Sequence, residues 1–187
     1  MQAVDIGLSA LLGDDVYSFG ELLLHPLVSS LDNSPYAWLR ELLDCFNRGD
    51  LHGYDELCVK HARMLNAQPQ LVQNERRLRE KITVMSLMEM VFHTPAHQRS
   101  MPLTDIAART KLSVEGVEEL LMRCLSLRLM EGRIDQVAGV VHVSWVQPRV
   151  LTLPQVAALR DRLVEWVDKV KAMSLSLEQE AVGVAEV

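Results

Sequence analysis

Apolar positions in the first third of the chain recur at steps of three and four, the spacing of helices with one buried face. The pattern predicts short helices over 2–12 and 16–24. Ile6, Leu8, Leu11 and Leu12 are the apolar positions on the first, and Phe19, Leu22, Leu23 and Leu24 on the second. Gly13-Asp14-Asp15 separates them. His25-Pro26 marks a further break, because proline disfavours helical geometry in the residue before it. After an Asp32-Asn33-Ser34-Pro35 turn, Trp38, Leu39, Leu42, Leu43 and Phe46 define another helix, closed by a glycine signal at Gly49. The helix from Leu51 to Leu65 carries Tyr54, Leu57, Cys58, His61 and Leu65 on one face, where His61 reads as a packed core histidine. Gln68-Pro69 closes it. Helical pairs of this length stack into a helical-repeat, solenoid-like segment. An ordinary helical bundle would show the same spacing, since no strict motif repeats. The first apolar helix starts almost at Met1 with no capping repeat before it. The expectation is therefore a chain that begins inside an array, as a fragment or a short gene product would.

Residues 70–93 form a longer predicted helix in two halves. Arg76, Arg77, Arg79 and Lys81 occupy the first half, and read as a solvated face or, secondarily, as a phosphate contact. Ile82, Val84, Met85, Leu87, Met88, Met90, Val91 and Phe92 crowd the second, with Glu89 the one charge among them. A helix apolar on most sides is buried between neighbours. His93-Thr94-Pro95-Ala96-His97 ends it.

The stretch 100–151 reads as helix, tight turn, helix and two short strands, a winged-helix module. Pro102 suits the first helical position, and Leu103, Ile106 and Ala107 supply the apolar face. Arg109-Thr110-Lys111-Leu112 makes the turn, with Ser113 as N-cap of the second helix. Val117, Leu120, Leu121, Cys124 and Leu125 face inwards on that helix. Two runs, 129–134 and 140–146, then alternate as strands around a short loop. From Pro154 onwards Val156, Leu159, Leu163, Trp166, Val170, Met173 and Leu177 fall on a heptad seam about three heptads long. The chain thus divides, as an expectation, into a helical-repeat part (1–99), a winged-helix module (100–151) and a C-terminal bundle helix with its tail (152–187). The fold class is mainly α.

Composition narrows the function. Of 187 residues 49% are apolar and only 5% aromatic, which favours helices packed on helices. Acidic residues outnumber basic ones 25 to 19, for a formal charge of −6. Duplex binding draws its affinity from phosphate neutralisation, so this balance argues against a DNA reader. The second helix of the winged module opens with Glu115, Glu118 and Glu119, where a recognition helix would meet base edges. Arg109, Lys111, Arg123, Arg128 and Arg133 keep weak nucleic-acid contact as a minor reading. Cys45, Cys58 and Cys124 are scattered and read as small apolar residues in a reducing compartment. No signal peptide or membrane span is expected, which points to the cytosol or nucleus. His93 and His97 lack the further ligands of a zinc site, and no catalytic motif, phosphate loop or cofactor signature is present. The chemistry read from the residues is that of protein contact without catalysis.

Helical pairs followed by a winged helix and a long terminal helix resemble the PCI domain. The resemblance is carried by Gly20-Glu21-Leu22-Leu23-Leu24-His25-Pro26, by Leu87-Met88-Glu89-Met90 and by the run from His142 to Leu151. It covers nearly the whole chain and is strongest from Lys81 to Leu151. Such domains occur in scaffold subunits of the proteasome lid, the COP9 signalosome and a translation-initiation complex, and the motifs are most similar to those of a lid subunit. The resemblance implies a non-catalytic structural role in ubiquitin-dependent degradation, with other lid subunits as partners and no cofactor. It also implies that winged helices of neighbouring subunits pack edge to edge and that their C-terminal helices gather in a bundle. On that basis Trp145 and Arg149 are candidate contacts on the winged module. Leu159, Leu163, Trp166, Val170, Met173 and Leu177 are candidate contacts in the bundle. The plain alternatives are Trp145 as core filler, Arg149 as a solvated charge and the seam as intrachain packing.

Overall fold

Helix α1 (Gln2–Leu12) opens the chain, followed by α2 (Phe19–Leu24), α3 (Pro26–Ser29) and α4 (Ala37–Arg48). The computed structural model describes residues 2–32, 34–95, 98–151 and 153–185, with side chains of the last helix described from 155 to 178. Asn33, Ala96 and His97 of the turns read above lie outside the described residues. His25 supplies the break between α2 and α3 as N-cap, its Nδ1 accepting from the Leu27 N–H at 3.3 Å, with Pro26 at the first helical position. Trp38, Leu39, Leu42, Leu43 and Phe46 are buried along α4, together with Cys45. That helix ends at Gly49, whose φ of 63° is left-handed and whose N–H returns to the Phe46 carbonyl at 3.1 Å. A Cβ at Gly49 would come 2.6 Å from the Ser86 nitrogen, so α4 closes directly against the next long helix.

The expected helix 51–65 is two, α5 (Leu51–Lys60) and α6 (Ala62–Asn66), broken at His61. His61 is a half-buried edge residue rather than a core one. Its Nε2 lies 3.2 Å from the Glu41 carboxylate, beside the Lys60–Glu41 ion pair. Phe46 joins α2 and α5 through ring contacts with Phe19 and Tyr54, both at 5.6 Å between centroids. The expected helix 70–93 is likewise divided, into α7 (Pro69–Gln73) and α8 (Glu75–His93).

Helix α8 is the axis of the fold. It packs against α1, α4, α5 and α7 on one side and against the winged module on the other. All eight residues from Lys81 to Met88 are buried. An amphipathic stripe cannot serve so many neighbours, which explains the near-continuous apolar run.

The winged module is β1 (Ser100–Pro102), α9 (Leu103–Thr110), α10 (Val114–Ser126), β2 (Met130–Asp135) and β3 (Val140–Val146). Its sheet has three antiparallel strands in the order β1-β3-β2, where the sequence indicated two. Pro102 does not open α9 from inside. It ends β1 in extended conformation (φ −61°, ψ 138°) and stands at the N-cap position. Three residues ending in proline have no strand signature of their own, and pairing with β3 makes them one. The tight turn passes through left-handed Lys111 (φ 58°), and the Ser113 hydroxyl accepts from the Gly116 N–H at 3.2 Å.

By contacts the chain divides into two compact units, Met1–Arg149 and Val150–Val187. The second consists chiefly of α11 (Leu153–Ala185), 33 residues. At ~1.5 Å per residue it is about 50 Å long.

Candidate docking surfaces

Strand alternation alone would put Val141, Val143 and Trp145 on one face of β3. The structure interrupts that alternation. Glu131 pairs with Trp145 and Gly132 with Val143, so Ser144 is an extra residue on β3, a β-bulge. Beyond it the phase reverses: Val141, Val143 and Val146 are buried, and Trp145 turns out to 40% exposure. The Ser144 hydroxyl donates to the Glu131 carbonyl at 3.1 Å across the irregularity. Gly132 permits the close approach, since a Cβ there would meet the His142 carbonyl oxygen at 2.4 Å. An isolated glycine inside a strand run is the signal by which the bulge is readable in the sequence.

The outward face of the sheet carries a cross-strand row. His142 stands opposite Ser100 on one side and Arg133 on the other. Ser100 Oγ and His142 Nδ1 are 2.7 Å apart. These side chains, with Arg99, Glu131 and Ser144, line an open depression of about 550 Å³. It is mixed in charge and shallow. Strand β2 is one edge of the sheet.

Glu118, at the start of α10, accepts from the Gln136 side chain at 3.1 Å, so the acidic helix start and the loop between the strands are tied together. Glu115 and Glu119 are exposed.

Arg149 is engaged within the chain. Its guanidinium donates to the Glu89 carboxylate and to the Asn47 carbonyl, with the Asn47 side-chain oxygen at 3.4 Å. The two ionic side chains are only 11% and 18% exposed. Burial lowers the Arg149 pKa while Glu89 opposes that shift. The contact joins the end of the sheet to α8 and to the C-terminal end of α4, where helix carbonyls lack internal donors. The sequence carried a signal for it. A lone Glu89 in a buried apolar run requires a cationic partner.

The remaining bundle candidates share one property. Leu159, Leu163, Trp166, Val170, Met173 and Leu177 are all exposed, from 47% at Leu159 to 68% at Met173. Val164, Val167 and Leu175, off the seam, are exposed as well.

Among the described residues, no group of three or more His, Cys, Asp or Glu side chains is placed to hold a metal ion. Burial pushes the Cys45 and Cys124 thiols up to about 12, far from the thiolate form needed for nucleophilic chemistry. No described helix is long and apolar enough to cross a membrane.

Residues 59–145 match the PCI domain family, and residues 1–43 match the PSD13 N-terminal repeats. The helix-turn-helix with its three-stranded sheet, set on α8, is thus the winged end of a PCI domain. The chain is 55% identical to 26S proteasome non-ATPase regulatory subunit 13 homolog A of Arabidopsis thaliana over 178 residues, 95% of this chain and 46% of that protein. It is 42% identical to the 26S proteasome regulatory subunit RPN9 of Saccharomyces cerevisiae over 177 residues, 94% of this chain and 44% of that protein. Similarity to eukaryotic translation initiation factor 3 subunit M of Aspergillus fumigatus is lower, 28% over 158 residues, 84% of this chain and 33% of that protein. The chain is therefore a homologue of 26S proteasome non-ATPase regulatory subunit 13. It spans just under half the length of the proteasome relatives it matches.

Proposed function

We propose that this chain serves as a non-catalytic scaffold subunit of the 26S proteasome regulatory particle lid and supports ubiquitin-dependent protein degradation. The observation that carries the reading is identity of 42–55% to named 26S regulatory subunits across 94–95% of the chain. Its partners are other lid subunits, in cytoplasm and nucleus, with no cofactor. Trp145 and the β2 edge form the winged module's contact. The α11 seam, Leu159 to Leu177, enters a helix bundle. Exposed tryptophan is the residue type that dominates binding energy at protein interfaces, and heptad seams of this length pair with other helices. Arg149 supports docking from within, by holding the end of β3 to α8 and α4. Nucleic acid is not a partner, given the acidic start of α10 and the charge balance.

The test is affinity capture of a tagged full-length version from cell extract, with partners identified by mass spectrometry. Recovery of proteasome regulatory subunits is the expected result. Recovery of translation-initiation subunits instead would favour the second PCI reading, which the 28% similarity to an initiation-factor subunit keeps in view. Capture of neither defeats the proposal.

A further inference from the structure

Lys81 is buried, 6% exposed, in a chain whose other lysines lie at the surface or its edge. It extends from α8 to the C-terminal end of α1. Its Nζ donates to the carbonyls of Ala10 at 2.8 Å, Leu11 at 3.3 Å and Gly13 at 2.7 Å. An ammonium has three N–H bonds, and three acceptors are present. The same nitrogen sits 5.3 Å from the Tyr17 ring centroid and 5.2 Å from that of Phe19, within cation–π range. Among the described residues no carboxylate forms an ion pair with it.

The end of α1 explains the arrangement. The last carbonyls of a helix have no internal donor and carry the negative end of the helix dipole. Helix α4 solves this with left-handed Gly49, and α9 with left-handed Lys111. Gly13 follows α1 in the position where such a cap is expected, yet it is not left-handed. It returns one N–H to the Ser9 carbonyl at 2.8 Å, leaving the later carbonyls open. We infer that Lys81 is the C-cap of α1 supplied from α8, and that it acts as the latch fixing the N-terminal-repeat helix to the PCI part of the chain. An apolar interface alone lets two helices slide by a turn. Three carbonyls converging on one ammonium admit a single register. Arg77, one turn earlier on α8, pairs with Asp14 just past the end of α1 and reinforces the same joint.

The latch spans residues of the two matched families, which the sequence comparison treats separately. It stands independently of lid membership, since its test reads only this chain. Amide hydrogen exchange is measured on the whole chain and on Lys81→Met, which keeps an apolar stem and removes every donor. The expected result is exchange about tenfold faster at the amides of Ala10 to Gly13, the scale of a lost helix cap, with α9 and α10 unchanged. Unchanged exchange at the end of α1 overturns the inference. Should Lys81→Met fail to fold, the wild-type chain decides the matter across a urea series. Amides at the end of α1 and those of α8 around Lys81 should open together. Opening of α1 at lower urea than α8 overturns the latch.

Discussion

Two buried cations do different work, and pH and mutation separate them. An unfolded lysine titrates near 10.4, whereas burial lowers Lys81 to about 8, with Arg77 adding to the shift and Asp15 opposing it. Between those values the unfolded chain holds the proton that the folded chain has lost, so stability rises with pH across that window. Wild type should therefore gain on Lys81→Met between pH 8 and pH 10, read from urea midpoints. Parallel pH profiles for the two proteins would refute the assignment. Arg149 stays charged, so its contribution is tested by substitution. Arg149→Ala leaves the Glu89 carboxylate unpaired in a largely buried site and should cost about 2–4 kcal/mol. Arg149→Lys should recover only part of that loss, because one ammonium cannot reproduce a planar fork shared between Glu89 and Asn47. Full recovery in a denaturation series would show that charge alone suffices.

At the scale of the element, the bulge in β3 sets which way Trp145 points. A tryptophan filling the core costs about 3–5 kcal/mol when truncated. Trp145→Ala should cost under about 1 kcal/mol, because the bulge at Ser144 turns the ring to the surface. The same substitution should weaken capture of the partners proposed above, and a loss of stability without loss of capture would return Trp145 to a packing role. Gly132→Ala acts on the bulge itself. Its Cβ would meet the His142 carbonyl, so the strand pair must shift, and a drop of about 1–3 kcal/mol is expected in thermal or urea unfolding. The elements differ in how readily the sequence discloses them. Helix α11 is legible because its heptad repeats, and α10 because Ser113 caps it and its apolar face is continuous. Strand β1 is not legible, because Ser100-Met101-Pro102 becomes a strand only through its partner. The break at His61 is equally hidden, since both halves of the pattern keep helical spacing. Arg149 was readable only through the isolated charge of Glu89, sixty residues earlier.

At the scale of the molecule, the sequence families and the physical units have different boundaries. One family match ends at residue 43 and the next begins at 59, yet both fall inside the unit Met1–Arg149. The reason is α8, whose buried run from Lys81 to Met88 faces α1 and α4 as well as the winged module. A fragment of residues 59–149 would carry the complete winged helix but leave Ile82, Val84, Met85, Leu87 and Met88 without part of their covering. Exposing several such side chains forfeits about 1.5–3 kcal/mol each, more than the marginal stability of a small domain can absorb. That fragment should therefore show no cooperative thermal transition by circular dichroism. A fragment of residues 1–149 keeps every one of those contacts and loses only the unit from Val150 onwards. It should keep a single cooperative urea transition. Its behaviour in solution should nevertheless change, because the exposed α11 seam offers a heptad surface to a second helix. Sedimentation should show concentration-dependent association for the whole chain and a monomer for residues 1–149. A cooperative 59–149 fragment would place the working boundary between the families instead of at Arg149. Association that persists in 1–149 would move the contact from the seam to the winged sheet.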